Sequence, residues 1–313
     1  MQPASSPPML RAAGLTMTYP NGVVALSGLT VDVPAGSVGL VGANGAGKTT
    51  LFRLMLGLMR PTQGVLEVAG HRVDADPISV RSRLGYMPEH DCLPLDQTAA
   101  DVVSSFGELA GLPARAARQR ASDVLDLVGL DEARFRPVGG FSTGMRQRTK
   151  LAQALVADPE LVLLDEPTAG LDPLGREEML ELVGRLAGFG ISAILATHLL
   201  DDVQRVCQNV VMVDRGHLVL AGPIDQLMQT TGYMRVEVGG RDDAVAALAQ
   251  ALAAKDVKTT PVDAHHIDVD TQIHGDVTFD IVRDAVADLG LRLYAVSTRH
   301  RSLDDVFLQE AYR

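Results

Sequence analysis

The sequence predicts an α/β fold built on a mainly parallel sheet with helices on both faces. Three observations carry this. Largely apolar runs recur at 38–41, 161–164, 191–196 and 210–213. Helical stretches such as 176–186 separate them. A glycine-rich loop joins the first run to a helix. Continuous apolar runs suit strands buried on both faces, and strands alternating with helices imply a parallel sheet.

The first run, Val38-Gly39-Leu40-Val41, leads into Gly42-Ala43-Asn44-Gly45-Ala46-Gly47-Lys48-Thr49-Thr50. This is G-x-x-x-x-G-K-T, a loop that wraps the phosphates of a nucleotide. Its glycines let backbone N–H groups approach an anion closely. Lys48 can reach the β- and γ-phosphates as a point charge. The Thr49 hydroxyl is placed to bind Mg²⁺. Leu51, Leu54, Met55 and Leu58 follow at helical spacing. The N-terminus of that helix would favour anions through its dipole. A dinucleotide fingerprint fits less well, because the glycines are mis-spaced for G-x-G-x-x-G.

At 161–166 the chain reads Leu-Val-Leu-Leu-Asp-Glu. The run ends in two carboxylates at the C-terminal edge of the sheet, where ligands bind in open α/β folds. Asp165 is suited to hold Mg²⁺, directly or through water. Glu166 is expected to point away from Asp165, because strand neighbours alternate. It could orient and deprotonate the attacking water.

Composition narrows the classes. The 313 residues suggest two domains, and 46% hydrophobic with 21% charged residues indicates a globular chain. A net charge of −11 argues against sequence-independent nucleic-acid binding. Cys92 and Cys207 form no C-x-x-C pair and suit a reducing compartment. No apolar run reaches the roughly 18–20 residues needed to span a bilayer. Residues 1–8 read as a loose tail, not a signal peptide. These features predict a cytoplasmic protein, soluble or peripheral.

Along the chain, 10–74 carries short β-type runs. Helices are expected at 101–110, 114–128 and 146–157, so about 90–157 reads as an inserted helical subdomain. Residues 9–230 would form the main domain. After 231 the pattern changes to strand 235–238, helix 242–254, strands 257–263 and 265–270, helix 276–289 and strand 291–298. That βαββαβ order predicts a small ferredoxin-like α+β domain over 231–313, with a last helix at 303–312. His265-His266 falls in a strand pattern that sends neighbours to opposite faces, which disfavours a two-His metal site.

Between the loop and the acid pair lies Phe141-Ser142-Thr143-Gly144-Met145-Arg146-Gln147-Arg148. A Ser hydroxyl and free N–H groups at a helix start make an anion site, while a plain N-cap at Ser142 or Thr143 is the simpler reading. The set of motifs resembles the ATP-binding subunit of ATP-binding-cassette (ABC) transporters. In that family a Leu-Ser-Gly-Gly-Gln signature opens a helix. Here Ser142 and Gly144 keep the positions expected to contact γ-phosphate, and Thr143 and Met145 depart from the pattern. The resemblance implies a P-loop NTPase-type sheet with an antiparallel β edge. It also implies that the signature meets the ATP of a second subunit.

Other positions match in order. Tyr19 stands where the family places an aromatic that stacks on adenine, with core or turn packing as the alternative. Tyr86-Met87-Pro88-Glu89 matches the loop that usually presents Gln to Mg²⁺ and water, with Glu89 at the Gln position. Ala169-Gly170-Leu171-Asp172 resembles the segment that touches the partner subunit. His198, at the end of Ile194-Leu195-Ala196-Thr197, stands where a His contacts the γ-phosphate. The ending Leu303-Asp304-Asp305-Val306-Phe307-Leu308 resembles the extension on some exporter-type (ABC-2) subunits.

The resemblance implies an ATPase that binds ATP and Mg²⁺ and powers transport, export by the C-terminal likeness. It implies a homodimer, or a pseudo-dimer with a similar ATPase subunit. A separate transmembrane permease would hold it peripherally on the inner face of the cell membrane. Nucleic acid is not an expected partner. Two alternatives stay open: a soluble ABC-type ATPase acting on nucleic acid or ribosomes, and a nucleotide-binding regulator without hydrolysis.

Overall fold

The computed structural model describes residues 8–228, 230–271, 275, 277–300 and 303. The tail reading for 1–8 and the terminal helix expected at 303–312 lie outside these residues, apart from Pro8 and Leu303. Contacts divide the chain into two compact units, with the division between Ile224 and Asp225.

The first unit is organised around a six-stranded sheet. Its order is His217–Pro223, Asn209–Asp214, Ser37–Val41, Ser192–Thr197, Leu161–Asp165 and Leu84–Met87. The pair 209–214 and 217–223 is antiparallel, and every other pairing is parallel. The strands at 37–41, 161–165 and 192–197 are buried at every residue. That explains why they read as unbroken apolar runs rather than alternating ones. The expected mainly parallel sheet with an antiparallel edge is therefore present.

A second, antiparallel sheet pairs Val24–Val33, Leu10–Thr18, Gln63–Val68 and His71–Arg72 in that order. Two of its strands run nine and ten residues, longer than the short runs expected. The helix Lys48–Met55 sends Leu51, Phe52, Leu54 and Met55 into one core with both sheets. Leu10, Leu26 and Leu66 come from the antiparallel sheet, and Val38, Leu40 and Leu163 from the parallel one. The phosphate loop is thereby fixed at its strand end and at its helix end.

The helices Ala99–Leu109, Ala114–Leu127 and Thr143–Leu155 form a block between the strands 84–87 and 161–165. The last starts at Thr143, three residues before the expected 146. Ser142 caps it, its Oγ accepting from the Met145 N–H at 3.2 Å.

The second unit is a four-stranded antiparallel sheet in the order Thr259–Pro261, His266–Asp270, Thr230–Gly239, Arg292–His300. The helices Ala244–Ala253 and Val277–Asp288 complete the expected ferredoxin-like βαββαβ order. Its own core gathers Val236, Val238, Leu248, Leu252, Ile267, Val269 and Val282. The strand expected at 257–263 shrinks to 259–261, ending at Pro261, which has no N–H to give a ladder. His266 Nδ1 lies 2.9 Å from Asp263 Oδ1 and Oδ2, so this histidine is engaged by a local carboxylate.

Candidate nucleotide site

The phosphate loop leaves its strand at Val41 and enters its helix at Lys48. Gly47, the N-cap, adopts φ 108, which a side chain would resist. A Cβ there would also stand 2.6 Å from Ala25 O, and one at Gly42 would stand 2.4 Å from Val213 O. Both glycines thus let the loop lie directly on neighbouring backbone. Lys48 is only 6% exposed. Its Nζ donates to Gly42 O at 2.5 Å and approaches Ala43 O at 3.5 Å and Glu166 Oε1 at 3.7 Å. The ammonium is held over the loop, where anionic phosphates would meet it.

The second group of residues comes from the parallel strands. Asp165 closes the strand 161–165, and its Oδ2 lies 3.5 Å from Thr49 Oγ1. Tyr86, on the strand 84–87, donates from its hydroxyl to the same Oδ2 at 3.4 Å. Burial pushes the Asp165 carboxyl above the ordinary carboxylate range, and the charges of Glu89 and Glu166 push it the same way. The Tyr86 hydroxyl is pushed up to about 12, by burial first and by Asp165 next, so it stays a proton donor.

Glu166 follows the strand with φ 48, a left-handed conformation that costs a residue with a Cβ roughly 1–2 kcal/mol. Its N–H donates to Ala196 O at 2.9 Å. Strand alternation was expected to send Asp165 and Glu166 apart, yet both face one cavity. The left-handed turn at Glu166 replaces the alternation and brings its carboxylate back to the sheet edge. His198, just beyond the strand 192–197, is 53% exposed, and its Nδ1 lies 3.1 Å from both Glu166 oxygens. That contact leaves Nε2 as the ring nitrogen for a ligand.

A cavity of about 560 Å³ collects these groups. Tyr19, Ala43 through Thr50, Glu89, Asp165, Glu166 and His198 line it. Gly42 contributes its carbonyl to Lys48 rather than lining the space. Tyr19 packs as its alternative reading expected and also borders the cavity. It is half-buried against the core, with its hydroxyl 3.1 Å from Thr50 Oγ1, and it borders the cavity beside Val24 and Ala25. Ser142 and Gly144 do not join this cavity. They line another of about 770 Å³, together with Gly170, Leu171 and Asp172.

Several participants escaped the sequence reading. Tyr86 lay inside a quoted motif, but its bond to Asp165 needs the strand pairing of 84–87 with 161–165. Thr168 Oγ1 donates to the buried Asp202 at 2.8 Å, and Arg176 Nε donates to it at 2.6 Å. This trio ties the segment after Glu166 to the helix after His198. Lys150 is buried behind the Glu89 loop, donating to Glu89 O at 2.8 Å. Its signal was a charged residue on the apolar stripe of a helix, beside Leu151 and Ala154.

The family model described as ABC transporter matches residues 26–169. A daunorubicin resistance ATP-binding protein, DrrA3 of Streptomyces coeruleorubidus, is 36% identical over 91% of this chain and 90% of its own. The Nod factor export ATP-binding protein I of Ralstonia nicotianae is 35% identical over 76% and 74% of the two chains. Among solved structures, CbiO1 from Clostridium perfringens, part of an ABC transporter complex, superposes with a TM-score of 0.65. It is 28% identical and covers 71% of this chain and 91% of its own. Identity at this level, sustained over nearly the whole length of both chains, means that this protein belongs to the ABC transporter family as an ATP-binding and ATP-hydrolysing subunit.

Proposed function

We propose that this chain binds MgATP over the phosphate loop, and that two copies close head to tail around two nucleotides to drive export through a separate membrane subunit. The convergence of Lys48, Thr49, Glu89, Asp165, Glu166 and His198 on one cavity carries this reading.

The loop amides of 43–49 and Lys48 hold the phosphates, and the Tyr19 ring offers its face to the adenine. Hard oxygen donors suit Mg²⁺. Thr49 Oγ1 and Asp165 Oδ2 stand 3.5 Å apart on the wall that also bears Glu89, so the residues fit the ion. The crowding of Asp165 by Glu89 and Glu166 is a negative charge that a bound cation offsets. Thr49, Asp165 and Glu89 would hold Mg²⁺, which neutralises charge developing on the β- and γ-oxygens. Glu166 orients a water and accepts its proton, and His198, fixed against Glu166, turns Nε2 to the γ-phosphate.

Ser142 and Gly144 line a cavity apart from Lys48. That separation supports their acting on the nucleotide of a second copy, in a symmetric homodimer. None of the helices among the described residues is long and apolar enough to cross a membrane. The likeness to ATP-binding subunits of transporters supports a separate permease and a peripheral position on the inner face of the membrane. The relatives named for daunorubicin resistance and Nod factor export support export. Residues 9–230 carry the ATPase, 231–313 are accessory to it, and the charge of −11 supports a partner other than nucleic acid.

Two variants test the site. Glu166→Gln lowers phosphate release by about 10²–10⁴-fold, the range for removing a general base, while equilibrium ATP binding persists. Turnover near the wild-type rate sinks the assignment. Lys48→Ala loses ATP affinity in a calorimetric titration, and unchanged affinity overturns the role given to the loop.

A further inference from the structure

The helix Thr143–Leu155 carries Gln147, Lys150, Leu151 and Ala154 along its buried side. An ammonium loses its hydration on burial, so a lysine there needs partners that repay it. Lys150 is 1% exposed. Its Nζ donates to Glu89 O at 2.8 Å and approaches His90 O at 3.4 Å. Both oxygens belong to the backbone of the loop that carries Glu89.

Neighbouring residues of the helix work in the same direction. Gln147 Nε2 donates to Ala169 O at 3.2 Å. Arg146 Nη1 donates to Phe141 O at 2.6 Å, and its Nε stands 3.9 Å from Asp91 Oδ2. The helix opened by Ser142 thus grips two segments, and Glu89 and Ala169 of those segments both border the nucleotide cavity.

The charge of Lys150 adds to the grip. Glu89, Asp165 and Glu166 line one cavity, so three carboxylates stand together there. Lys48 answers them from the loop side. Burial pulls the Lys150 ammonium below the ordinary lysine value, and Cys92, Asp91, Glu89 and Asp165 oppose that. An amide at position 89 would remove one of these negative charges.

We propose that Lys150 is a positioning residue for the Mg²⁺ site: its ammonium clamps the backbone of Glu89 and His90 and supplies the countercharge that lets a carboxylate stand at position 89 beside Asp165. The inference rests on the site reading given above, and its test uses no nucleotide or metal, so the two can fail separately. The cycle comprises Lys150→Met, Glu89→Gln and the double variant. It is read by backbone hydrogen exchange over residues 89–92 and by thermal unfolding of the nucleotide-free protein.

Lys150→Met speeds exchange in this segment about tenfold, a coupling within the range for groups in contact. Adding Glu89→Gln recovers part of that protection, since the repulsion is gone while the backbone clamp stays lost. Lys150→Arg keeps wild-type protection. Equal acceleration with Glu89 and with Gln at that position overturns the countercharge, because a pure backbone clamp is blind to the side chain at 89. No acceleration in either background overturns the clamp as well. Should Lys150→Met fold only together with Glu89→Gln, that rescue supports the proposal. Should neither fold, Lys150→Gln, which keeps donors but not charge, goes through the same cycle.

Discussion

The Asp165 carboxyl is held above its ordinary value of 3.8, by burial first and then by Glu89 and Glu166. A carboxyl raised in this way binds its proton more tightly in the folded state than in the unfolded one. Stability is therefore lost as pH rises from the unfolded value through the raised folded one, and the full penalty stands above both. Asp165→Asn removes the penalty and keeps an acceptor for the Tyr86 hydroxyl. The nucleotide-free variant is expected to melt higher than wild type at neutral pH. The gain shrinks as pH falls and vanishes below 3.8, where Asp165 is protonated in both states. Equal melting temperatures across that range would contradict the crowding described. Glu166 bears a related cost in its left-handed backbone at φ 48. Strain of this kind collects at functional sites, where the surrounding structure enforces it.

The helix Thr143–Leu155 does two jobs at its N-terminus, and they can be separated. Ser142 satisfies the Met145 N–H and also lines the cavity apart from Lys48. Ser142→Ala should cost about 1 kcal/mol of stability, the usual loss for an N-cap, and should also abolish ATP-driven pairing of two copies. Ser142→Asp keeps the cap but, in the proposed homodimer, would set a carboxylate against the γ-phosphate bound by the other copy. Its thermal stability should match wild type while light scattering finds no dimer. The strand Ser37–Val41 makes a different demand. A Cβ at Gly39 would come 2.3 Å from Val203 Cγ1, where the helix Leu200–Val206 packs on the sheet. Gly39→Ala is expected to cost about 1–3 kcal/mol as overpacking, read as a lower midpoint in urea with an unchanged slope. The strand Leu84–Met87 makes the same demand: a Cβ at Gly85 would meet Ala154 O at 2.1 Å.

At the scale of the molecule, one chain presents two separate cavities. One cavity holds Lys48, Asp165 and Glu166, and the other holds Ser142 and Gly144. In the proposed homodimer, two copies related by a two-fold axis would complete both. Nucleotide would then stabilise the dimer by mass action. The Glu166→Gln variant, which retains ATP, should double its mass in saturating MgATP by light scattering. Returning to the monomer on exchange into ADP is expected, and a monomer in MgATP would sink the homodimer. The second unit, Asp225–Val306, has a core of its own. Its βαββαβ order was readable because its strands and two helices each announce themselves locally.

The amino-acid sequence by itself determined the strand, loop and helix around 38–55, the acid pair at 165–166 and His198 at a strand end. Each is made within one continuous segment, where apolar runs, glycine spacing and carboxylates speak directly. The tertiary structure alone decided what faces what. Lys150 meets Glu89 across 61 residues, and Thr168 meets Asp202 across 34. Asp165 and Glu166 share a cavity because a left-handed turn overrides strand alternation. Burial, long-range pairing and strained backbone depend on the packed whole, so no local pattern records them.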